Sequence, residues 1–503
     1  MSFIIPIFDR EVLSFAQLEP QDVAGGKMEK TFQEQRNNLQ RNWEHLQATD
    51  ISTKKGTVFQ KEELTLNRFC YLNGMKKEIK FIDLFAGIGG IRLGLERALK
   101  AAGYKTKCVF TSEIKEGAIK VLKQNHPKEK ICGDITKINE SDIPDFDFLC
   151  AGFPCQAFSA AGKRLGFVDT RGTLFFEVER ILRAKRPKGF ILENVEGLTN
   201  HDGGNTLNVI LSHLEDIGYS VSYKVLNAKD FGVPQDRKRI YIVGTFTGKE
   251  VSLEFENQPA ILEEVLEKGL PTSKSKFVKN LLSKYTVKQL YGKSIKDKRG
   301  GSDNIHSWDL EIKGATTKEE RNLLNLILKE RRKRKWADEI GIKWMDGMPL
   351  TYKQIKTFCN YPDLKKMLDK LTVQGYLSLE HPKQLRTIVG ENGAVATIRE
   401  EDPSLPKGYN IIAGKLSFEV SKILDPRKIA PTLVAMDMQR LFVPDGKGVR
   451  KLTLREGLRL CGYPEDYKFD ISEKEGFDLL GNTVVVPVIQ SVATRLIQTI
   501  GRL

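Results

Sequence analysis

From Ile79 to about Gly244 the chain alternates short apolar runs with amphipathic stretches. The runs Ile79–Phe85, Lys107–Ser112, Phe146–Ala151, Gly189–Glu193 and Ile240–Val243 read as strands. Between them, Gly90–Ala101, Glu116–Asn125, Thr173–Arg183 and Leu207–Ile217 place apolar residues at helical spacing. Alternation in this order predicts an α/β fold, a doubly wound, mostly parallel sheet with helices on both faces. Ligands of such sheets gather at the carboxyl ends of the strands.

The flanking regions read differently. Residues 1–78 are polar and charged, with a helical pattern in Glu29–Ala48, and form an amino-terminal extension in which no chemistry is legible. From 249 to 449 the alternation breaks into mixed elements punctuated by glycine and proline, as in Arg299-Gly300-Gly301-Ser302 and Glu401-Asp402-Pro403-Ser404. A smaller, separate mixed domain is expected there. Residues 450–503 regain periodicity, with a helix near Thr453–Leu460 and another after Pro487, and are expected to pack back on the sheet of residues 79–248. A chain of 503 residues exceeds one usual core, which agrees with this division.

Composition narrows the function classes. There is no run of about 18 uniformly apolar residues, and Phe3–Phe8 is too short and lacks the basic start of a signal peptide. A cytoplasmic protein with no membrane segment is expected. Seven cysteines without a Cys-x-x-Cys or a Cys/His cluster argue against a disulfide scaffold and a metal site. The formal charge of +15 points to a polyanionic partner. Residues 250–450 hold 36 Lys/Arg against 27 Asp/Glu. The run Arg331-Arg332-Lys333-Arg334-Lys335 within them reads either as a phosphate-facing patch or as a solvated helix face.

Candidate chemistry clusters at the predicted strand ends. Phe85-Ala86-Gly87-Ile88-Gly89-Gly90 is a glycine-rich turn between a strand and a helix, where a ligand can approach the backbone closely. A dinucleotide fingerprint would require glycine at position 92, where Arg92 stands, so nicotinamide and flavin cofactors are disfavoured. Glu113 ends the next strand at the distance where an acid takes ribose hydroxyls, and Asp134 ends a third apolar stretch. These acids suit a nucleoside-bearing cofactor without a diphosphate; surface or capping roles are the alternative. Cys155, in Gly152-Phe153-Pro154-Cys155-Gln156, occupies the loop after a strand, where a thiol can be exposed and activated. Gln156, Ser159, Lys163 and Arg164 follow with donors suited to phosphate. Glu193 in Glu193-Asn194-Val195 sits at another strand end, where burial would raise its pKa for proton transfer to a ring nitrogen. In Gln235-Asp236-Arg237-Lys238-Arg239, the two arginines are expected on one strand face, suited to a phosphate and a ring carbonyl, or to surface salt bridges.

In order along the chain, Phe-x-Gly-x-Gly, Gly-Phe-Pro-Cys-Gln, Glu-Asn-Val, Gln-x-Arg-x-Arg, a long variable region, Arg-x-Leu-Thr-x-Arg-Glu and Gly-Asn-Thr-Val resemble the DNA (cytosine-5) methyltransferases of bacterial type. The resemblance covers about residues 79–248 and 425–503. It implies S-adenosylmethionine as cofactor, held by Phe85, Ala86, Gly87, Gly89, Glu113, Asp134, Ile135, Pro154, Asn482 and Val484. It implies duplex DNA as substrate, with a cytosine flipped out. Cys155 would attack C6, Glu193 would contact N3 and the exocyclic amine, and Arg237 and Arg239 would hold the base and nearby phosphate. Gln156, Ser159, Lys163, Arg164, Gln235 and Thr432 would touch DNA, and residues 249–449 would choose the sequence. A partner restriction endonuclease is implied by the same context. The sequence departs from the family at Ala157, where proline is frequent, and at Thr483, where serine or alanine is commoner. A related enzyme acting on transfer RNA would carry Cys-Phe-Thr in the variable region, where this chain has only Cys359 followed by Asn360. An inactive DNA-binding relative would have lost Cys155 or Glu193, and both are present.

Overall fold

A computed structural model describes residues 77–154, 174–297, 303–343, 347–389, 395–412, 418–435, 437–501 and 503. Its centre is a seven-stranded sheet in the order β3-β2-β1-β4-β5-β8-β6. The strands are β1 (Glu78–Leu84), β2 (Lys105–Ser112), β3 (Ile131–Cys132), β4 (Phe148–Ala151), β5 (Gly189–Val195), β6 (Ser220–Asn227) and β8 (Lys238–Thr245), with β7 (Gln235–Asp236) outside this sheet. Neighbours from β3 to β5 run parallel, and β8 is inserted antiparallel between β5 and β6. The expected doubly wound, mostly parallel sheet is therefore present. Because β8 runs backwards, its first residues lie at the edge where β1 to β5 end.

Alternation along β1 sends Ile79 and Phe81 into one apolar cluster and Ile82 and Leu84 into the other. The first is closed by α1 (Gly90–Ala101) and, from the far end of the chain, α7 (Val486–Ile500), through Leu95, Leu99, Val488, Val492 and Leu496. The second is closed by α3 (Leu174–Lys185) and α4 (Asn205–Asp216), through Phe175, Ile181, Ile210 and Leu214. A Cβ on Gly94 would lie 2.5 Å from Ile489, so a bare backbone lets α1 and α7 cross closely. Glu473–Ile500 is long and apolar enough to cross a bilayer on those grounds alone. Its chain is broken between α6 (Glu473–Asn482) and α7, and the apolar face of α7 is spent on the sheet, as befits a core helix.

The carboxyl-terminal segment also docks on α2 (Glu116–Asn125). The side chains of Gln124 and Asn125 donate to the carbonyls of Asp470 and Lys468, and Lys115 pairs with Asp478. Residues 249–258 run along the outer edge of the sheet: Val251 and Leu253 join the first cluster and Val251 N–H donates to Ser222 Oγ. Further on, a five-stranded sheet holds Ser294–Ile295, Asn304–Ile305, Lys422–Ile423, Leu441–Asp445 and Gly448–Lys451. A separate cluster around Trp308, Leu324, Leu328, Leu368 and Ile411 packs the helices Lys318–Glu330 and Leu364–Val373.

Of the run Arg331–Lys335, one arginine turns inward while Lys333, Arg334 and Lys335 remain exposed. Arg331 is buried with its Nη1 donating to Asn410 Oδ1, Lys333 pairs with Glu330, Arg334 pairs with Asp338, and Lys335 lies over the Trp336 ring.

Candidate active site

The glycine turn leaves β1 through Phe85, at φ +53, and Gly87, at φ +55. A left-handed Phe85 is strained, as is common where backbone is shaped for a ligand. Gly87 N–H donates to Glu113 Oε2 at 2.7 Å, and the N–H groups of Ile114 and Lys115 donate to Oε1 at 2.8 Å each. Glu113 thereby locks the loop after β2 against the loop after β1. Chain neighbours apart, no atom of the described residues lies within 4 Å of where a Cβ on Gly87 would stand, nor of one on Gly133. Both loops thus face open space at the carboxyl edge of the sheet. Ile114, 71% exposed beside Glu113, is a large apolar side chain at that mouth which sequence reasoning passed over.

The other expected cofactor contacts divide. Val484 reaches the loop: a Cβ on Gly90 would lie 2.6 Å from both Val484 Cγ2 and the Tyr463 hydroxyl. Ala86 is buried and its N–H donates to the carbonyl of Ser112. Gly89 sits at φ +73 as the N-cap of α1. Asp134 caps a short 3₁₀ turn, accepting from Thr136 N–H and Oγ1, which lowers its pKa. Ile135 is buried in the second cluster. Asn482 is exposed and its amide donates to the carbonyl of Asp478. Arg92, at the position of the missing glycine, is a buried anchor of α1, paired with both Glu129 oxygens and with Glu96. Beneath the turn, Asp83 is fully buried, with its pKa raised by desolvation.

On the catalytic side, Cys155, Gln156, Ser159, Lys163 and Arg164 lie outside the described residues. What leads to them is described. Asn194 Nδ2 donates to the carbonyl of Phe153 at 2.9 Å, tying the Gly-Phe-Pro loop to the end of β5. A Cβ on Gly152 would stand 3.7 Å from Glu193 Oε2. Pro154 is exposed at the end of this stretch.

Glu193 is buried, and its Oε1 accepts no hydrogen bond among the described residues. Arg239 Nε lies 3.1 Å from that oxygen without the alignment of a hydrogen bond. The pairing of Val195 with Arg239 and Glu193 with Tyr241 explains the meeting: all four side chains share one face of the β5–β8 pair. Burial pushes the Glu193 carboxyl above its ordinary range, opposed by Arg239 and more weakly by Arg237. Beside it opens a cleft of about 440 Å³ lined by Val195, Glu196, Asp236, Lys238, Arg239 and Thr432.

Two expectations are corrected. Arg237 does not share the orientation of Arg239: its Nη1 donates to the carbonyl of Leu433 and its Nη2 to those of Gly481 and Thr483. The same-face rule needs a continuous strand, and Arg237 stands in the joint between β7 and β8. Gln235 is fully buried, donating to the carbonyl of Leu460 and accepting from Leu433 N–H, so its amide is no DNA contact. Thr432 keeps a place on the cleft while its hydroxyl donates to the carbonyl of Asp236.

Residues 79–498 match the family model of the C-5 cytosine-specific DNA methylases. The chain belongs to that family. It is 63% identical over 432 residues to Type II methyltransferase M.NlaIV of Neisseria lactamica, covering 84% of this chain and 100% of that one. To Type II methyltransferase M.NgoBV of Neisseria gonorrhoeae it is 61% identical over the same shares. To Type II methyltransferase M.BanI of Aneurinibacillus aneurinilyticus it is 41% identical over 84% of this chain and 96% of that one. This methylase is thus a DNA cytosine-C5 methyltransferase that uses S-adenosylmethionine. The open space before Gly87 and Gly133, with a carboxylate and an exposed apolar side chain beside it, fits a nucleoside with no diphosphate to bind.

Proposed function

We propose that the enzyme methylates C5 of a cytosine turned out of a specific duplex sequence, through a transient bond between Cys155 and C6. The observation that carries this reading is the buried Glu193, with one oxygen open towards Arg239, at the strand end to which Asn194 ties the Cys155 loop.

In this reading the flipped base enters the cleft beside Arg239, and contacts there offset the few kcal/mol of unstacking. Arg239 faces the ring carbonyl or the adjoining phosphate. Glu193, whose carboxyl holds its proton more firmly because it is buried, donates to N3 as the thiolate of Cys155 adds to C6, which makes C5 electron-rich. The Phe85–Gly89 turn, Glu113 and the segment at Val484 would hold S-adenosylmethionine, which when bound would supply the methyl group and remain as S-adenosylhomocysteine. Loss of the C5 proton to a water molecule then lets the thiolate leave, and N3 returns its proton to Glu193, restoring Cys155, the carboxyl group and the aromatic ring. Residues from about 259 to 429 choose the sequence. Type II methyltransferases are named for restriction-modification, so a nuclease acting on the same site is the proposed partner and the cytoplasm the proposed place.

Bisulfite sequencing of DNA from cells expressing the chain would map the target. A duplex carrying 5-fluorocytosine at that position, where fluorine stands in place of the proton that must leave C5, is expected to trap a denaturant-resistant adduct with the wild type. Cys155→Ala is expected to form none and to lose at least about 10³-fold in turnover; an adduct with that variant refutes the assignment.

A further inference from the structure

Among the described residues, the buried Arg237 has no carboxylate hydrogen-bonded to its guanidinium; it donates to three backbone carbonyls. They come from two separate segments. Leu433 belongs to the stretch that returns from the middle region, and Gly481 and Thr483 belong to the stretch beside the glycine turn. The return stretch is also bolted directly to Gln235–Arg237. Its strand β9 (Ala430–Pro431) pairs with β7, Leu433 N–H donates to Gln235 Oε1 at 3.2 Å, and Thr432 Oγ1 donates to the carbonyl of Asp236 at 2.5 Å. The two stretches touch each other, since a Cβ on Gly481 would lie 2.3 Å from Ala435 N.

Contact continues on both sides. Thr483 Oγ1 is 2.7 Å from the Tyr463 hydroxyl, and Tyr463, Thr483 and Val484 close around Gly90 at the start of α1. Two residues beyond Arg237, Arg239 stands by Glu193. A buried charge held only by carbonyls depends on all of them staying in place, because charge-assisted bonds are roughly twice as strong as neutral ones and a desolvated cation left short of partners is costly. A shift of the return stretch is therefore felt at Gly481 and Thr483.

We infer that Arg237 is a positioning residue that couples the two substrate sites, so that DNA held at the cleft that Thr432 lines favours the arrangement of residues 481–484 beside the S-adenosylmethionine turn. The inference rests on the function proposed above, and by linkage the cofactor must favour DNA by the same factor.

The test uses the full chain and S-adenosylhomocysteine, which cannot react, titrated calorimetrically with and without a saturating duplex of the mapped target. In the wild type the duplex is expected to tighten binding by about 5- to 50-fold. Arg237→Lys keeps the charge but lacks the planar fork, and is expected to bring that ratio to about 2 or below. A purely structural role would weaken both titrations alike and leave the ratio unchanged, and an unchanged ratio overturns the inference, as does a wild-type ratio of one. If Arg237→Lys does not fold, hydrogen exchange of the wild type decides. Added duplex is expected to slow exchange at Gly481–Val484, and no change there overturns the coupling. Failure of the wild type to methylate any DNA would instead overturn the function on which the inference rests.

Discussion

At the scale of the residue, Glu193 concentrates the argument. Its carboxyl is buried, one oxygen has no hydrogen bond among the described residues, and desolvation raises its pKa despite Arg239. The unfolded chain would titrate it near the ordinary value of about 4.3. Between that value and the raised folded one, the folded state binds more protons than the unfolded state. This group's contribution to stability is therefore fully present below the unfolded value and is lost as pH rises through the folded one. Glu193→Gln, which cannot ionise, is expected to melt above the wild type at pH 7 to 8, with the gap closing towards pH 4. The same variant is expected to lose about 10²- to 10⁴-fold in kcat, the usual worth of a placed proton donor. Thermal melts across pH check the first claim, and a variant less stable than wild type at pH 8 would contradict it.

At the scale of the element, the loop after β4 is held by the end of β5. Asn194 donates to the carbonyl of Phe153, and its Oδ1 accepts from Val195 N–H. Asn194→Ala should cost about 1–3 kcal/mol, the penalty for leaving buried polar groups unpaired. Because the tether acts on the Cys155 side, kcat is expected to fall about 10-fold while KM for S-adenosylmethionine stays near wild type; steady-state kinetics with a mapped duplex separates the two, and a change confined to KM would count against it. The helices α1 and α2 were legible from periodicity alone, with the observed bounds Gly90–Ala101 and Glu116–Asn125. Strand β6 was not. Ser-Val-Ser-Tyr-Lys-Val-Leu-Asn is only half apolar, and it becomes a strand because β8 pairs along it and residues 249–258 cover its flank. The places of Glu193, Arg239 and the glycine turn were legible because each lies at or beside a strand end. Arg237 and Gln235 were not, because their partners lie about 200 residues further along the chain.

At the scale of the whole molecule, the middle region is not a free-standing insert between clean boundaries. Val251 and Leu253 are buried with the central sheet, while Leu433 and Leu441 are buried in one cluster with Ala118, Val121, Leu458 and Leu480. The charge argument survives in altered form. The excess of Lys/Arg over residues 250–450 is real, and its densest run divides between the buried Arg331 and the exposed Lys333, Arg334 and Lys335, the first two of which hold surface ion pairs. Affinity for DNA then scales with how many of these exposed cations reach phosphate, and a few base contacts set the choice. If residues 259–429 hold that choice, moving them into a related methylase should carry the target sequence with them, read by bisulfite sequencing. Moving 249–449 instead replaces side chains that fill the host's cores. Each mismatched core position costs about 1–3 kcal/mol, so several together approach the whole stability of a domain. The longer exchange is expected to yield little folded protein. A shorter exchange that folds, methylates and keeps the host's target would show that the choice of sequence resides outside residues 259–429.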